Sequence, residues 1–97
     1  MSAIIIISVE IPDLNHRRFY DKYLEKIQPV IQEFGGQILI RSERITMYNN
    51  VAPPDRMVII AFPSREHLDA CFESEEYNAV NPLKDRFVQS NTVIIED

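Results

Sequence analysis

The chain opens on an almost unbroken apolar run, an alanine and four isoleucines from Ala3 to Ile7. Branched side chains at Cβ favour the pleated state, and apolar residues on both faces point to a central strand. From Ser8 the pattern alternates: Ser8 and Glu10 fall on one face, Ile7, Val9 and Ile11 on the other. The strand should therefore span 3–11. Pro12 ends it and Asp13 is placed to cap a helix. The apolar period then changes from two to three and four. Tyr20, Tyr23, Leu24, Ile27, Val30, Ile31 and Phe34 form one stripe, which predicts a helix from about Leu14 to Phe34. Pro29 lies inside it, so a kink or a helix in two pieces is expected near Gln28. Gly35 and Gly36 supply the helix stop.

Strand composition returns from Gln37 to about Tyr48, with Ile38 and Ile40 on one face and Leu39, Arg41 and Glu43 on the other. Residues 49–55 read as a loop, because Pro53 and Pro54 forbid a regular ladder. Arg56 to Phe62 is a third strand. Pro63 stops it, Ser64 can cap a new helix, and Leu68, Cys71 and Phe72 give that helix an apolar face. Ser74 offers a second cap ahead of Glu75 and Glu76. The short turn it starts should bury Tyr77 and Val80 and close at Pro82. The stretch from Phe62 to Phe87 is thus a broken helix with a bend. Asn91 to Glu96 is the fourth strand.

The order strand, helix, strand, strand, helix, strand is the ferredoxin-like βαββαβ pattern. It is an α+β fold with a four-stranded antiparallel sheet and helices on one face. The other face needs polar residues or a partner. Alternation places Ile4, Ile6 and Leu39 there, beside Ser8, Glu10 and Arg41. A half-apolar face of this kind is unusual on a monomer, and pairing two of them about a two-fold axis buries both. A homodimer closing into a dimeric α+β barrel is the expectation.

Length and charge narrow the picture. Ninety-seven residues make one domain, 1–97. A net charge of −5 and the lack of a basic stripe argue against nucleic acid. The single cysteine excludes an intrachain disulfide and suits a reducing cytoplasm. The opening apolar run is too short to span a bilayer, and it lacks the basic start and cleavage site of a signal peptide. No membrane role is expected.

Phe34-Gly35-Gly36 with Leu39-Ile40-Arg41, then Phe62-Pro63-Ser64-Arg65-Glu66, then Ser74 with Glu76-Tyr77, resembles a family of small bacterial proteins catalogued as domain of unknown function thirteen-thirty. The resemblance covers nearly the whole chain. It implies the ferredoxin-like fold and the dimeric α+β-barrel superfamily, and no established activity. Ser42-Glu43 stands where the family usually has Gly-Gly, Cys71-Phe72 where it has Trp-Tyr, and Lys84 where an arginine follows the last helical turn.

Candidate chemistry is sparse. His16 and His67 sit near helix starts among charged neighbours, and no His, Cys, Asp or Glu cluster has metal-ligand spacing. No metal or cofactor is expected. Cys71 lies on an apolar helix face as a structural thiol, and Ser64 lacks the glycine context of a nucleophile elbow. Arg41 stands out. An arginine on a partly apolar sheet face wants a carboxylate, and Glu10 is the nearest by alternation. It reads either as half of a structural ion pair or as an anion-binding group in a cleft. The candidate ligand-binding residues are Arg41, Glu10, Tyr23, Tyr77 and His16, the last as an acid or base at a pocket mouth. Three function classes follow. The first is a binding or structural dimer without catalysis, the ligand being a small organic molecule with an anion among the candidates. The second is a cofactor-independent monooxygenase or isomerase for a small aromatic or lactone compound. The third is a haem-handling protein, for which neither histidine is placed on an inward face.

Overall fold

The computed structural model describes residues 2–85 and 89–97, with backbone alone for residues 14 and 81–85. The elements are β1 (Ala3–Glu10), α1 (Leu14–Glu33), β2 (Gln37–Ser42), β3 (Arg56–Phe62), α2 (Arg65–Glu73), α3 (Glu75–Asp85) and β4 (Gln89–Glu96). The sheet runs β2-β3-β1-β4 and every neighbouring pair is antiparallel. All three helices lie on one face. This is the ferredoxin-like arrangement that the element order implied, with the isoleucine run as an inner strand.

Caps and stops follow local chemistry. The Asp13 carboxylate accepts from the His16 backbone N–H at 2.9 Å and opens α1. At its other end the Gly35 and Gly36 amides donate to the Gln32 and Ile31 carbonyls, with Gly35 at φ +82°. That is the left-handed exit in which glycine costs least. Gly36 has a second role. A methyl group there would lie 2.5 Å from Ile31 Cγ2 and 2.7 Å from Phe62 Cε1, so the chain turns tightly against the core at this point.

Four expectations need correction. Of the two outcomes expected at Pro29, a kink or a helix in two pieces, the second does not occur, since α1 is one helix from Leu14 to Glu33. Ile27 and Ile31 on either side are buried in the core, and that packing holds the helix across the lost backbone bond. α3 likewise continues past Pro82 to Asp85, packed against α1, so it is a full helix and not a short turn. Phe87 and the Lys84 side chain fall outside the described residues. β2 ends at Ser42, well short of Tyr48, where the Ser42 hydroxyl accepts from the Arg44 N–H at 3.1 Å and turns the chain out of the ladder. β4 starts two residues earlier than expected, at Gln89.

A fifth difference, in register, matters more. Ile38 faces Ile60, yet Ile40 faces Ile59, so Leu39 is an extra residue in β2. A bulge of one residue moves everything after it to the opposite face. Arg41 now faces Val58 and lies on the helix side, while Ile40 joins Ile59 on the open side. Strict alternation had assigned both the other way.

The core lies between α1, α2 and the inner positions of β1 and β3: Ile5, Val9, Val58, Ile60 and Phe62 against Tyr20, Leu24, Ile27, Leu68 and Cys71. The open face carries Ile4 and Ile6 from β1, Ile59 from β3, Ile40 from β2, and Val93 and Ile95 from β4, as the register dictates. Ile40, Val93 and Ile95 are each about half exposed. No described helix is long and apolar enough to cross a membrane.

Candidate functional site

Two regions collect functional side chains, one apolar and one charged. The apolar one begins with the stripe on α1. Tyr20 and Tyr23 stack at 5.6 Å, and both line a small enclosed cavity with Ile7, Val58, Phe72 and Tyr77. Its volume of about 20 Å³ holds roughly one water molecule. Next to it, a recess of about 250 Å³ opens between α2 and the β1–β4 pair. Ile5, Ile7, Leu68, Phe72, Tyr77, Thr92 and Ile94 line it, with Asp69 and Glu73 from α2. Ile7, Phe72 and Tyr77 belong to both spaces. Phe72 meets Tyr77 edge-on at 4.6 Å, so this aromatic pair is the wall between recess and interior. The Ser74 hydroxyl accepts from the Tyr77 N–H at 3.1 Å and sets the start of α3, which fixes where Tyr77 enters.

The charged region borders the interior cavity at Tyr20. Arg56 occupies an inward position of β3 and is 5% exposed. Its Nη1 donates to Asp21 at 2.6 Å, its Nη2 lies 3.5 Å from Glu43, and its guanidinium carbon sits 5.4 Å over the Tyr20 ring. Arg17 pairs with the other oxygen of Glu43. Arg41, Arg56, Asp21, Glu25 and Glu43 line a cleft of about 450 Å³, and a neighbouring cleft of similar size runs past Arg17, Asp13 and Asp55. Asp55 ties the region to the sheet, accepting from the Ile11 N–H at 2.7 Å.

Electrostatics in the two regions differ. Burial pushes the Tyr20 phenol up to about 12, with the Arg56 and Arg41 guanidinium groups pulling the other way. The phenol is therefore a neutral hydrogen-bond donor at ordinary pH. Burial raises the Cys71 thiol to about 11, which keeps it inert, as its helix position suggested.

The expected site residues do not converge. Tyr23 and Tyr77 meet at the interior cavity. Arg41 lines the charged cleft and not the cavity. Glu10 sits on the open face, exposed and paired in register with Gln89, so it is no partner for Arg41. The bulge at Leu39 separates them. His16 is at the first turn of α1 with Nε2 3.8 Å from Asp13. Tyr48 stands fully exposed on the loop after β2. Among the described residues no group of three His, Cys, Asp or Glu side chains is set to hold a metal ion. Arg56 was missed. Its signal was in the sequence: Arg56, Val58, Ile60 and Phe62 alternate in one register, so the arginine had to point inward with them.

Comparison with known proteins places the chain in context. The family described as "Domain of unknown function (DUF1330)" matches residues 2–97. No curated protein matches. Among solved structures, a dimeric ferredoxin-like protein of unknown function from Jannaschia sp. CCS1 superposes with a TM-score of 0.84 at 9% identity, covering 100% of both chains. A protein of unknown function from Rhodopseudomonas palustris gives 0.77 at 15% identity, covering 99% of this chain and 82% of that one. SnoaB, a cofactor-independent oxygenase from Streptomyces nogalater, gives 0.72 at 4% identity, with coverage of 99% and 92%. Likeness at these identities establishes the shared fold.

Proposed function

We propose, for a chain that belongs to the DUF1330 family, that it works as a homodimer binding a small organic molecule in the recess between α2, α3 and the β1–β4 pair. The observation that carries this reading is the shared wall. A molecule in the recess touches Ile7, Phe72 and Tyr77, which also enclose the interior cavity, so its seat continues into the core. A volume of about 250 Å³ suits something smaller than the usual drug-sized ligand. The lining favours an aromatic or aliphatic body. The homodimer rests on the open sheet face, whose Ile40, Val93 and Ile95 would otherwise stay wet. The structural similarity to a dimeric protein of the same fold agrees with it. A reducing cytoplasm suits the single buried thiol.

Catalysis without a cofactor is the second reading, favoured by the fold shared with SnoaB. It needs a group that takes a proton from the substrate. In the interior cavity burial holds the Tyr20 phenol near 12, above the range of a working base, and at the recess Asp69 is already paired with Arg65, which leaves Glu73 as the candidate base. Binding ranks first because it requires only the recess.

Titration of the protein with indole and 2-naphthol, followed by amide shifts, tests the proposal. Shifts should centre on Ile7, Phe72, Tyr77 and Thr92. Ile94→Trp, which fills the recess from its half-exposed rim, should abolish them. Sedimentation should give about twice the 11.3 kDa chain mass. Shifts located elsewhere, or unaltered by Ile94→Trp, would remove the recess from consideration. Oxygen uptake with either compound would promote the catalytic reading.

A further inference from the structure

We propose that the recess between α2 and the β1–β4 pair selects an organic ammonium ion, a protonated amine on an aromatic or aliphatic body, and that Glu73 holds its charge. This rests on the reading of the recess as the ligand seat and adds which end group the ligand carries. The floor of the recess is apolar: Ile5, Leu68 and Tyr77 are 3%, 1% and 8% exposed. Two carboxylates stand on its α2 side, Asp69 and Glu73, one helical turn apart. They are not equivalent. Asp69 accepts from Arg65 Nε at 2.9 Å, and Arg65 Nη1 reaches Glu96 at 3.1 Å, so that cation is already shared by two carboxylates. Among the described residues Glu73 has no ion pair within 4.0 Å, and no lysine, arginine or histidine lines the recess.

The backbone acts in the same direction. α2 ends at Glu73, and its last turn holds no basic residue to offset the negative end of the helix dipole. α3 starts at Glu75, and the positive end it brings is met by Glu75 and Glu76 in its own first turn. A carboxylate ligand would therefore lie beside Asp69 and Glu73 with no described cation left to pair with it. A neutral ligand would gain the apolar contacts alone. An ammonium group has three N–H donors, and the recess offers it the Glu73 carboxylate and the Thr92 hydroxyl as acceptors. The apolar floor gives affinity and the rim gives selection, because a charge against a low-dielectric wall is felt more strongly than one in open water. Glu73 is itself exposed, which keeps the selection modest. The volume of about 250 Å³ admits a single ring with a short arm.

The test uses three probes that share one ring and a two-carbon arm: 2-phenylethylammonium, 2-phenylethanol and phenylacetate. Amide shifts at Ile7, Phe72, Glu73 and Thr92, followed at low salt, give each affinity. The ammonium should bind about tenfold more tightly than the alcohol, the scale of one charge-assisted hydrogen bond, and phenylacetate should bind most weakly. Added salt should weaken the ammonium and not the alcohol. Glu73→Gln should bring the ammonium to the level of the alcohol without shifting the thermal melt, since the side chain is exposed. Glu66→Gln removes the same charge from the same helix outside the recess and should leave the order intact. Equal binding of the three, or tightest binding of phenylacetate, overturns the proposal. So does an equal effect of Glu66→Gln and Glu73→Gln, which would trace the preference to the net charge of −5. Recess shifts with 2-naphthol but none with the ammonium would overturn this inference and leave the recess standing. No recess shifts with any compound would remove the recess itself, and the inference with it.

Discussion

The ion pair of Arg56 with Asp21 is unequal, and that inequality can be measured. Arg56 is 6% exposed at its side chain and Asp21 is 50% exposed. Removing the partner of a fully buried ion costs about 3–5 kcal/mol. Water reaches Asp21, and Glu43 stays 3.5 Å from the guanidinium, so both effects reduce that figure for Asp21→Asn. A loss of about 1–2 kcal/mol follows. Arg56→Met leaves a carboxylate that water can solvate, and methionine still packs on Tyr20. Its cost comes from the lost charged hydrogen bond and the contact with the ring, about 1–3 kcal/mol together. The double variant should cost less than the sum by about 1 kcal/mol. Urea unfolding of the four proteins at one protomer concentration reads this directly, because dimer formation would otherwise move the midpoint. A coupling indistinguishable from zero, below about 0.3 kcal/mol, would refute the account of Arg56 as a buried cation held by Asp21.

Tyr20 and the double glycine give two further expectations. The folded value of Tyr20, about 12, lies above the unfolded value of 10.0, so the stability of its neutral form is complete below pH 10 and is lost as pH rises through 12. In an ultraviolet titration one of the four tyrosines should ionise last, with loss of fold. All four ionising near pH 10 in an intact protein would contradict its burial. Gly36→Ala forces a methyl group into Ile31 and Phe62 and should cost about 1–3 kcal/mol, while Gly35→Ala, strained at φ +82° but with room for a side chain, should cost about 1 kcal/mol. The reverse order in thermal melts would count against the close packing at Gly36.

Much of the fold was legible because the apolar period changes cleanly. The isoleucine run cannot sit on one helix face, and the stripe from Tyr20 to Phe34 cannot alternate across a sheet, so β1 and α1 follow from spacing alone. Ser64 and Ser74 were legible as caps because each precedes acidic residues at a helix start. Pro29 and Pro82 misled for a common reason. The local cost of proline is visible in sequence, whereas the packing that offsets it is tertiary. Leu39 was illegible in a different way. The segment Ile38-Leu39-Ile40 is apolar throughout, so nothing in it marks which residue drops out of register. The site inherited that ambiguity. Tyr23 and Tyr77 are buried where their helical spacing put them, while Arg41 was assigned to the wrong face and Arg56 was read as ordinary strand.

That one extra residue explains why the two faces of the sheet serve different purposes. Without it, Leu39 would face Ile59 and Arg41 would face Met57 on the open face, and pairing two such faces would bury an arginine with no carboxylate in register. With it, Ile40 takes the place beside Ile59, and the open face carries branched aliphatic residues from all four strands. The same shift delivers Arg41 to the helix side, close enough to Tyr20 for its charge to lower the phenol's pKa, and into the cleft with Arg56 and Glu25. The outward place of Ile40 and the inward place of Arg41 therefore have one structural cause. β2 is an edge strand, where a bulge sacrifices the fewest ladder bonds, so the sheet takes the register change at the position where it costs least.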